Sequence, residues 1–223
     1  MSELAIYDMD RTVTKRPTFT PFLLHCAIRR APWRLLLLPV LVVPLFAYLV
    51  RAIDRARLKE IMHHLLLGPR IHPSELKPLV DSFADAQVTT NVRPGAQKAI
   101  GRDKEEGRRV ILATASYRLY ADAIAERLGF DDVIGTGSVI GLDDRIHAKI
   151  AGENCYAPAK MRMIADWVER SGLRDVHGHV SFYSDHVSDQ PAFEWADEPV
   201  AVNPHAKLRR LADERGWAIE DWG

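Results

Sequence analysis

The string Asp8-Met9-Asp10-Arg11-Thr12 sets two carboxylates two residues apart, with a hydroxyl two residues further on. Thr114-Ala115-Ser116 supplies more hydroxyls, and Ser184-Asp185-His186-Val187-Ser188-Asp189 supplies a second pair of carboxylates. Four carboxylates converging on one cleft repel each other, and such a buried group is unstable at neutral pH without a cation. Acid side chains with a backbone carbonyl make an all-oxygen donor set. That set suits Mg2+, which keeps waters and leaves room for a phosphate oxygen. Lys160 can bring the positive side chain that the cleft also needs. A carboxylate nucleophile, a second acid, a hydroxyl donor, a lysine and Mg2+ together suit phosphoryl transfer. There, positioning and charge neutralisation carry most of the catalysis.

Each string follows a predicted strand. Leu4 to Tyr7 is a short apolar run ending in Asp8, and Arg109 to Ala113 precedes Thr114. His179 to Tyr183 precedes the third string. Further strands are predicted over 133–139 and 200–202, with 145–150 as a hairpin partner. Helices are predicted over 96–106, 117–128 (closed by Gly129), 157–169 (carrying Lys160) and 204–215 (closed by Gly216). Strands alternating with helices give an α/β fold, a parallel sheet covered by helices on both faces. In such sheets ligands bind off the carboxyl ends of the strands, where these polar strings lie.

The order Asp8-x-Asp10-x-Thr12, Thr114, Lys160, Asp185-x-x-x-Asp189 resembles the four motifs of the haloacid dehalogenase-like (HAD) phosphatases. The segments GENCYAPAK and YSDHVSDQPAFEWADEPVAVNP support the likeness. The resemblance implies a Rossmannoid core over residues 1–14 and 89–223. It also implies an inserted all-helical cap over 15–88, as in the phosphoserine-phosphatase-like subfamily. It implies that Asp8 attacks phosphorus and that Asp10 protonates the leaving oxygen, then activates water. Thr114, with nearby backbone N–H groups, would hold the phosphoryl oxygens, and Lys160 would offset their charge. Thr12, Ala115 and Ser188 would face substrate; Ser188 stands where many relatives have an asparagine. Asp8, the Asp10 carbonyl and Asp185 would bind Mg2+, with Asp189 supporting that shell.

Composition separates the insert from the body. The 223 residues carry 30 Lys or Arg and 30 acids, so a chain-wide nucleic-acid footprint is not expected. From Lys15 to Arg70, however, ten basic residues face two acids, a surplus of eight that the rest of the chain balances. Cys26 and Cys155 make neither a disulfide framework nor a zinc spacing, and a reducing cytoplasm suits them. The opening MSELAIYDMD carries acids where a secretory leader needs a basic region and an apolar run.

Within the insert, Leu35 to Val50 is uncharged but contains Pro39 and Pro44, and helical spacing returns over 51–67 until Gly68-Pro69. Those uncharged residues span about 24 Å as a helix, short of a ~30 Å hydrocarbon core. A helix lying in an anionic membrane surface on the inner face is expected instead, flanked by basic residues within 29–57 and anchored by Trp33 and Tyr48. The cap resembles, by composition, that of bacterial phosphatidylglycerophosphate phosphatases. A homodimer interface or the cap's own interior are the other uses of this stretch. Phosphoserine phosphatases carry a glutamate shortly after the first motif for the substrate ammonium. Here Val13 to Phe19 holds Lys15 and Arg16 and no acid, which favours an anionic lipid phosphate. Phosphoserine or another small metabolite is the alternative, and a non-catalytic phosphate-binding role is more remote, given that Asp8, Asp10 and Lys160 are all present. The pairs His63-His64 and His177-x-His179 match no common metal spacing and are read as surface or core residues. His186 sits inside the fourth motif.

Overall fold

A computed structural model describes residues 3–172 and 178–223; His177 lies outside them. Eight strands form one sheet in the order β2-β5-β4-β3-β1-β6-β7-β8. At its centre is β1 (Leu4–Tyr7), parallel to β3 (Arg109–Tyr117) on one side and to β6 (Val180–Ser184) on the other. On one flank follow β4 (Asp132–Ile140), β5 (Ile146–Ala151) and β2 (Arg70–Ile71); on the other follow β7 (Glu198–Val202) and β8 (Ala218–Glu220). The sheet is parallel except at one edge, where β5 turns back against β4 and β2 pairs antiparallel with β5.

Alternation along the strands divides the core. Ala5, Tyr7, Val110 and Leu112 face one side, packing with α5 (Pro94–Glu105) and α6 (Arg118–Leu128). Leu4, Ile6, Ile111 and Ala113 face the other, with α7 (Pro158–Arg170), α8 (Gln190–Trp195) and α9 (Ala206–Arg215). With period-two side chains, both faces of β1 are buried, which is why Leu4 to Tyr7 is a continuous apolar run. Gly129 and Gly216 end α6 and α9 at φ 78° and 69°, a left-handed backbone that a residue without Cβ adopts freely.

Between β1 and α5 the chain makes a long excursion that starts and ends side by side. Thr14 and Val92 form an isolated antiparallel bridge, and the Lys15 amide donates to the Asn91 carbonyl at 2.7 Å. The excursion holds α1 (Phe19–Arg30), a 3-10 segment over Pro32–Leu41, α2 (Val42–Leu49), α3 (Arg55–Leu66) and α4 (Pro73–Thr90). It is helical apart from β2. Phe22 of α1 packs tilted against Tyr120 of α6, with ring centroids 4.4 Å apart, and joins the excursion to the sheet's core. The His72 ring caps α4 by accepting from the Ser74 amide.

Candidate active site

Asp8 is the first residue beyond β1, and its amide donates to the Tyr183 carbonyl of β6 at 2.9 Å. The next five residues form a tight π-type turn with Arg11 at φ 70°. That turn folds Thr12 back under Asp8. The Thr12 hydroxyl lies 3.1 Å from Asp8 Oδ2 and accepts from the Asp185 amide at 2.9 Å. Thr12, expected to face substrate, is fully buried and instead ties the first polar string to the last.

Lys160, near the start of α7, is 2% exposed. Its Nζ donates to Asp8 Oδ1 and to Asp189 Oδ2, both at 2.7 Å. Ser184 Oγ also donates to Asp189 Oδ2 at 2.7 Å, so that carboxylate is spent on holding Lys160. Asp10 is partly exposed. Its Oδ1 accepts from the Thr18 amide and hydroxyl, each at 2.8 Å, and its Oδ2 accepts from Ser116 Oγ at 2.9 Å. Tyr120 OH donates to Ser116 Oγ in turn. No local sequence pattern marks the Thr18–Ser116–Tyr120 support, which joins the residue capping α1 to β3 and α6.

Asp8, Asp10, Thr114, Ala115, Lys160, Asp185, Ser188 and Asp189 line one cavity of about 220 Å³, joined by His186 and by Arg11, Arg55 and Tyr156. All the expected site residues but Thr12 therefore meet there. Ser188 Oγ pairs with His186 Nδ1 at 2.9 Å, and the His186 ring packs on His205. Arg55, grouped by the sequence with the lipid-facing arginines, stands over the Tyr156 ring at this cavity instead. A second cavity, about 310 Å³, lies between α2, α3 and the end of β3; Asp10, Arg55 and Ala115 line both.

Three buried carboxylates, Asp8, Asp185 and Asp189, face one buried lysine. Burial would depress the Lys160 pKa, but the Asp189 and Asp8 charges raise it, so the ammonium stays charged. That leaves carboxylate in excess. Burial pushes Asp8 up to about 7 against the pull of Lys160, and pushes Asp185 up to about 6. A divalent cation with oxygen ligands would remove this excess, so the residues fit Mg2+. Among the described residues no group of three His, Cys, Asp or Glu side chains makes a ready cage. The available set is two carboxylates, Asp8 and Asp185, to be completed by main-chain oxygen, water and phosphate.

A pH dependence follows. Both acids hold protons in the fold at pH values where the unfolded chain has lost them, so without metal their contribution to stability declines as pH rises from about 4 through 7. A cation must displace those protons at low pH. The rise in Tm on adding Mg2+ is expected to be small at pH 5 and larger at pH 8. Equal increments at the two pH values in thermal melts would contradict this.

Residues 5–194 match the family of haloacid dehalogenase-like hydrolases. The chain is 26% identical over 157 residues to a histidinol-phosphatase of Neisseria meningitidis, covering 70% of this chain and 71% of the relative. It is 30% identical over 149 residues to the phosphoserine phosphatase SerB1 of Mycobacterium tuberculosis, covering 67% of this chain and 47% of that protein. The chain thus spans about half the length of the mycobacterial relative. A Bordetella pertussis protein of unknown function superposes over the whole of both chains with a TM-score of 0.89 at 24% identity, a likeness of fold. With a family match across most of its length and the family's polar strings gathered in one cavity, the chain belongs to the haloacid dehalogenase-like hydrolases.

Proposed function

We propose that the protein is a Mg2+-dependent phosphomonoester hydrolase that works through an aspartyl-phosphate on Asp8. The observation that carries this is the position of Asp10, which lines both cavities while Asp8 and Lys160 line only the smaller one. The smaller cavity takes the phosphoryl group, the larger takes the leaving alcohol, and Asp10 stands at their junction, where the breaking P–O bond must lie. The Asp8 carboxylate attacks phosphorus as that bond breaks, and Asp10 gives its proton to the departing oxygen. Asp10, now a carboxylate, takes a proton from water, whose oxygen attacks the aspartyl-phosphate and frees phosphate and Asp8. Thr18 and Ser116 fix the Asp10 carboxyl throughout. Thr114 and backbone N–H groups beside it hold the phosphoryl oxygens, and Lys160 offsets their charge. Asp8, Asp185 and the Asp10 carbonyl would hold Mg2+, which when bound would supply charge neutralisation of the transferring group. Residues 15–88 act as the cap that chooses the alcohol, over a core of residues 1–14 and 89–223.

For the alcohol, an anionic lipid phosphate such as phosphatidylglycerophosphate is the reading we favour, on the inner face of the cytoplasmic membrane. Its support is the surface of the 3-10 segment and α2. Pro32–Leu49 has a mean hydropathy of 1.8 and is 11% buried. Leu36, Val43 and Leu49 are 70–80% exposed in their relative areas (80%, 71% and 76%), and Phe46 is 64% exposed. A continuous apolar surface of this kind needs a partner. The charge support is narrower than the sequence implied. Arg30 pairs with Glu75, Arg34 donates to the carbonyls of His64 and Leu65 at the end of α3, and Arg57 pairs with Glu60. Arg29 and Arg51 remain exposed beside the apolar face. Tyr48 of α2 also lines the larger cavity, so the same helix serves the leaving-group site and the apolar surface. A soluble metabolite is the second reading, favoured by relatives named for histidinol phosphate and phosphoserine.

Flotation tests the lipid reading. The protein is expected to float with phosphatidylglycerol liposomes at low salt. Phe46→Glu is expected to weaken binding by roughly tenfold or more, since burying a Phe ring is worth about 1.5–3 kcal/mol. Protein that stays at the bottom of the gradient, with phosphoserine or histidinol phosphate hydrolysed well, would favour the metabolite.

A further inference from the structure

Lys59 is a buried basic residue that forms no ion pair among the described residues. It sits on α3 among Leu58, Met62 and Leu66, on the face turned inward, and is 6% exposed. Its Nζ donates to the Ala115 carbonyl at 2.6 Å and to Asn154 Oδ1 at 2.8 Å. The rings of Tyr117 and Phe19 flank it, with centroids 4.5 Å and 5.4 Å from Nζ. All these partners are neutral, and among the described residues no carboxylate forms an ion pair with it. An ammonium has three N–H donors, so one is left over. Burial lowers the Lys59 pKa to about 7, with the Arg55 charge adding to the fall and the Asp10 charge opposing it.

Lys59 lines the 310 Å³ cavity together with Arg55, and Asp10 is the one acid in that lining. Two basic side chains against one acid give the wall of this cavity a positive excess. The remaining walls are largely apolar or aromatic: Phe19, Tyr48, Leu58 and Met62. A desolvated cation among apolar walls is a strong and selective attractor for a charge-assisted hydrogen bond.

Resting on the phosphatase reading, we propose that Lys59 is a specificity-determining residue of the leaving-group cavity and selects phosphomonoesters whose alcohol carries a second anionic group, a carboxylate or a phosphodiester, close to the scissile bond. The cavity holds a headgroup-sized alcohol. The acyl chains of a lipid substrate would remain outside it.

The test compares kcat/KM, with Mg2+, for glycerol 3-phosphate, 3-phosphoglycerate and dihexanoyl phosphatidylglycerophosphate. The first two share a carbon skeleton and differ by one carboxylate; the third carries a phosphodiester and separates a lipid source of the anion from a soluble one. The wild-type protein is expected to favour at least one anion-bearing substrate over glycerol 3-phosphate by about tenfold or more, mainly in KM. In Lys59→Met that ratio is expected to collapse to about threefold or less, while Lys59→Arg keeps it. A loss in Lys59→Met that is equal for all substrates, leaving the ratio intact, would make Lys59 a structural latch on the Ala115 carbonyl and overturn the proposal. So would a wild-type enzyme that turns over glycerol 3-phosphate as well as the others. Absence of turnover on all three while histidinol phosphate or a generic aryl phosphate is hydrolysed overturns the proposal alone; absence of turnover on those as well overturns the phosphatase reading. Should Lys59→Met not fold, the wild-type ratio and its retention in Lys59→Arg still decide the matter.

Discussion

Asp8→Asn is expected to lower phosphate release by at least ~10⁴-fold, the order of loss seen when a covalent nucleophile is removed, and to leave Tm unchanged or raised. The two outcomes have one cause. Asp8 is the carboxylate at the end of β1 that both Lys160 and Thr12 hold in place, and burial penalises its charge. An amide keeps the shape and the hydrogen bond from Thr12, cannot attack phosphorus, and removes one charge from a site with too many. Loss of activity together with a large fall in Tm would instead assign Asp8 a structural role. Phosphate release and a thermal melt on the same sample separate the two.

Lys160→Met is expected to act on both properties. Turnover should fall by ~10²–10³-fold, the usual cost of losing one preorganised group that meets developing charge. Stability should fall by about 3–5 kcal/mol at neutral pH, because Asp8 and Asp189 lose their shared partner while remaining buried. Adding Asp189→Asn to Lys160→Met should return part of the stability and none of the activity. Urea denaturation of the four proteins in that cycle measures the coupling. A single Lys160→Met variant as stable and as active as the wild type would remove the lysine from the site.

How far these residues could be foreseen depends on how local their signal is. Asp8 is legible because it directly follows an apolar run that is buried on both faces and ends at the sheet's carboxyl edge; Asp185 follows β6, whose last residue is Ser184, and Thr114 lies inside β3, which runs on to Tyr117. Strand β1 matches its sequence reading residue for residue, Leu4 to Tyr7. Helices α6 and α9 stop where their glycines require a left-handed residue. What the sequence concealed was made by pairings distant along the chain. Strand β2 is two residues long and exists because β5 offers it an edge. The family pattern suggested that Thr12 contacts substrate, but the tight turn after Asp8 carries it beneath the carboxylates. Arg55 and Lys59 were two basic residues among ten in the insert. Which of them faces water, an acid or the cavity is decided by the packing of α3 against α1, α2 and β5. Lys59 did leave a trace, being a lysine inside the Leu58, Met62, Leu66 stripe, where an apolar residue or a buried function is expected.

The covalent step on Asp8 can be observed directly. The protein is mixed with a turned-over phosphomonoester and Mg2+, quenched in acid within milliseconds, digested and analysed by mass spectrometry. A phosphoryl adduct is expected on the peptide bearing Asp8, sensitive to hydroxylamine and missing from Asp8→Asn. Rapid turnover with no adduct on Asp8, or with the adduct on another residue, would contradict the account at its centre.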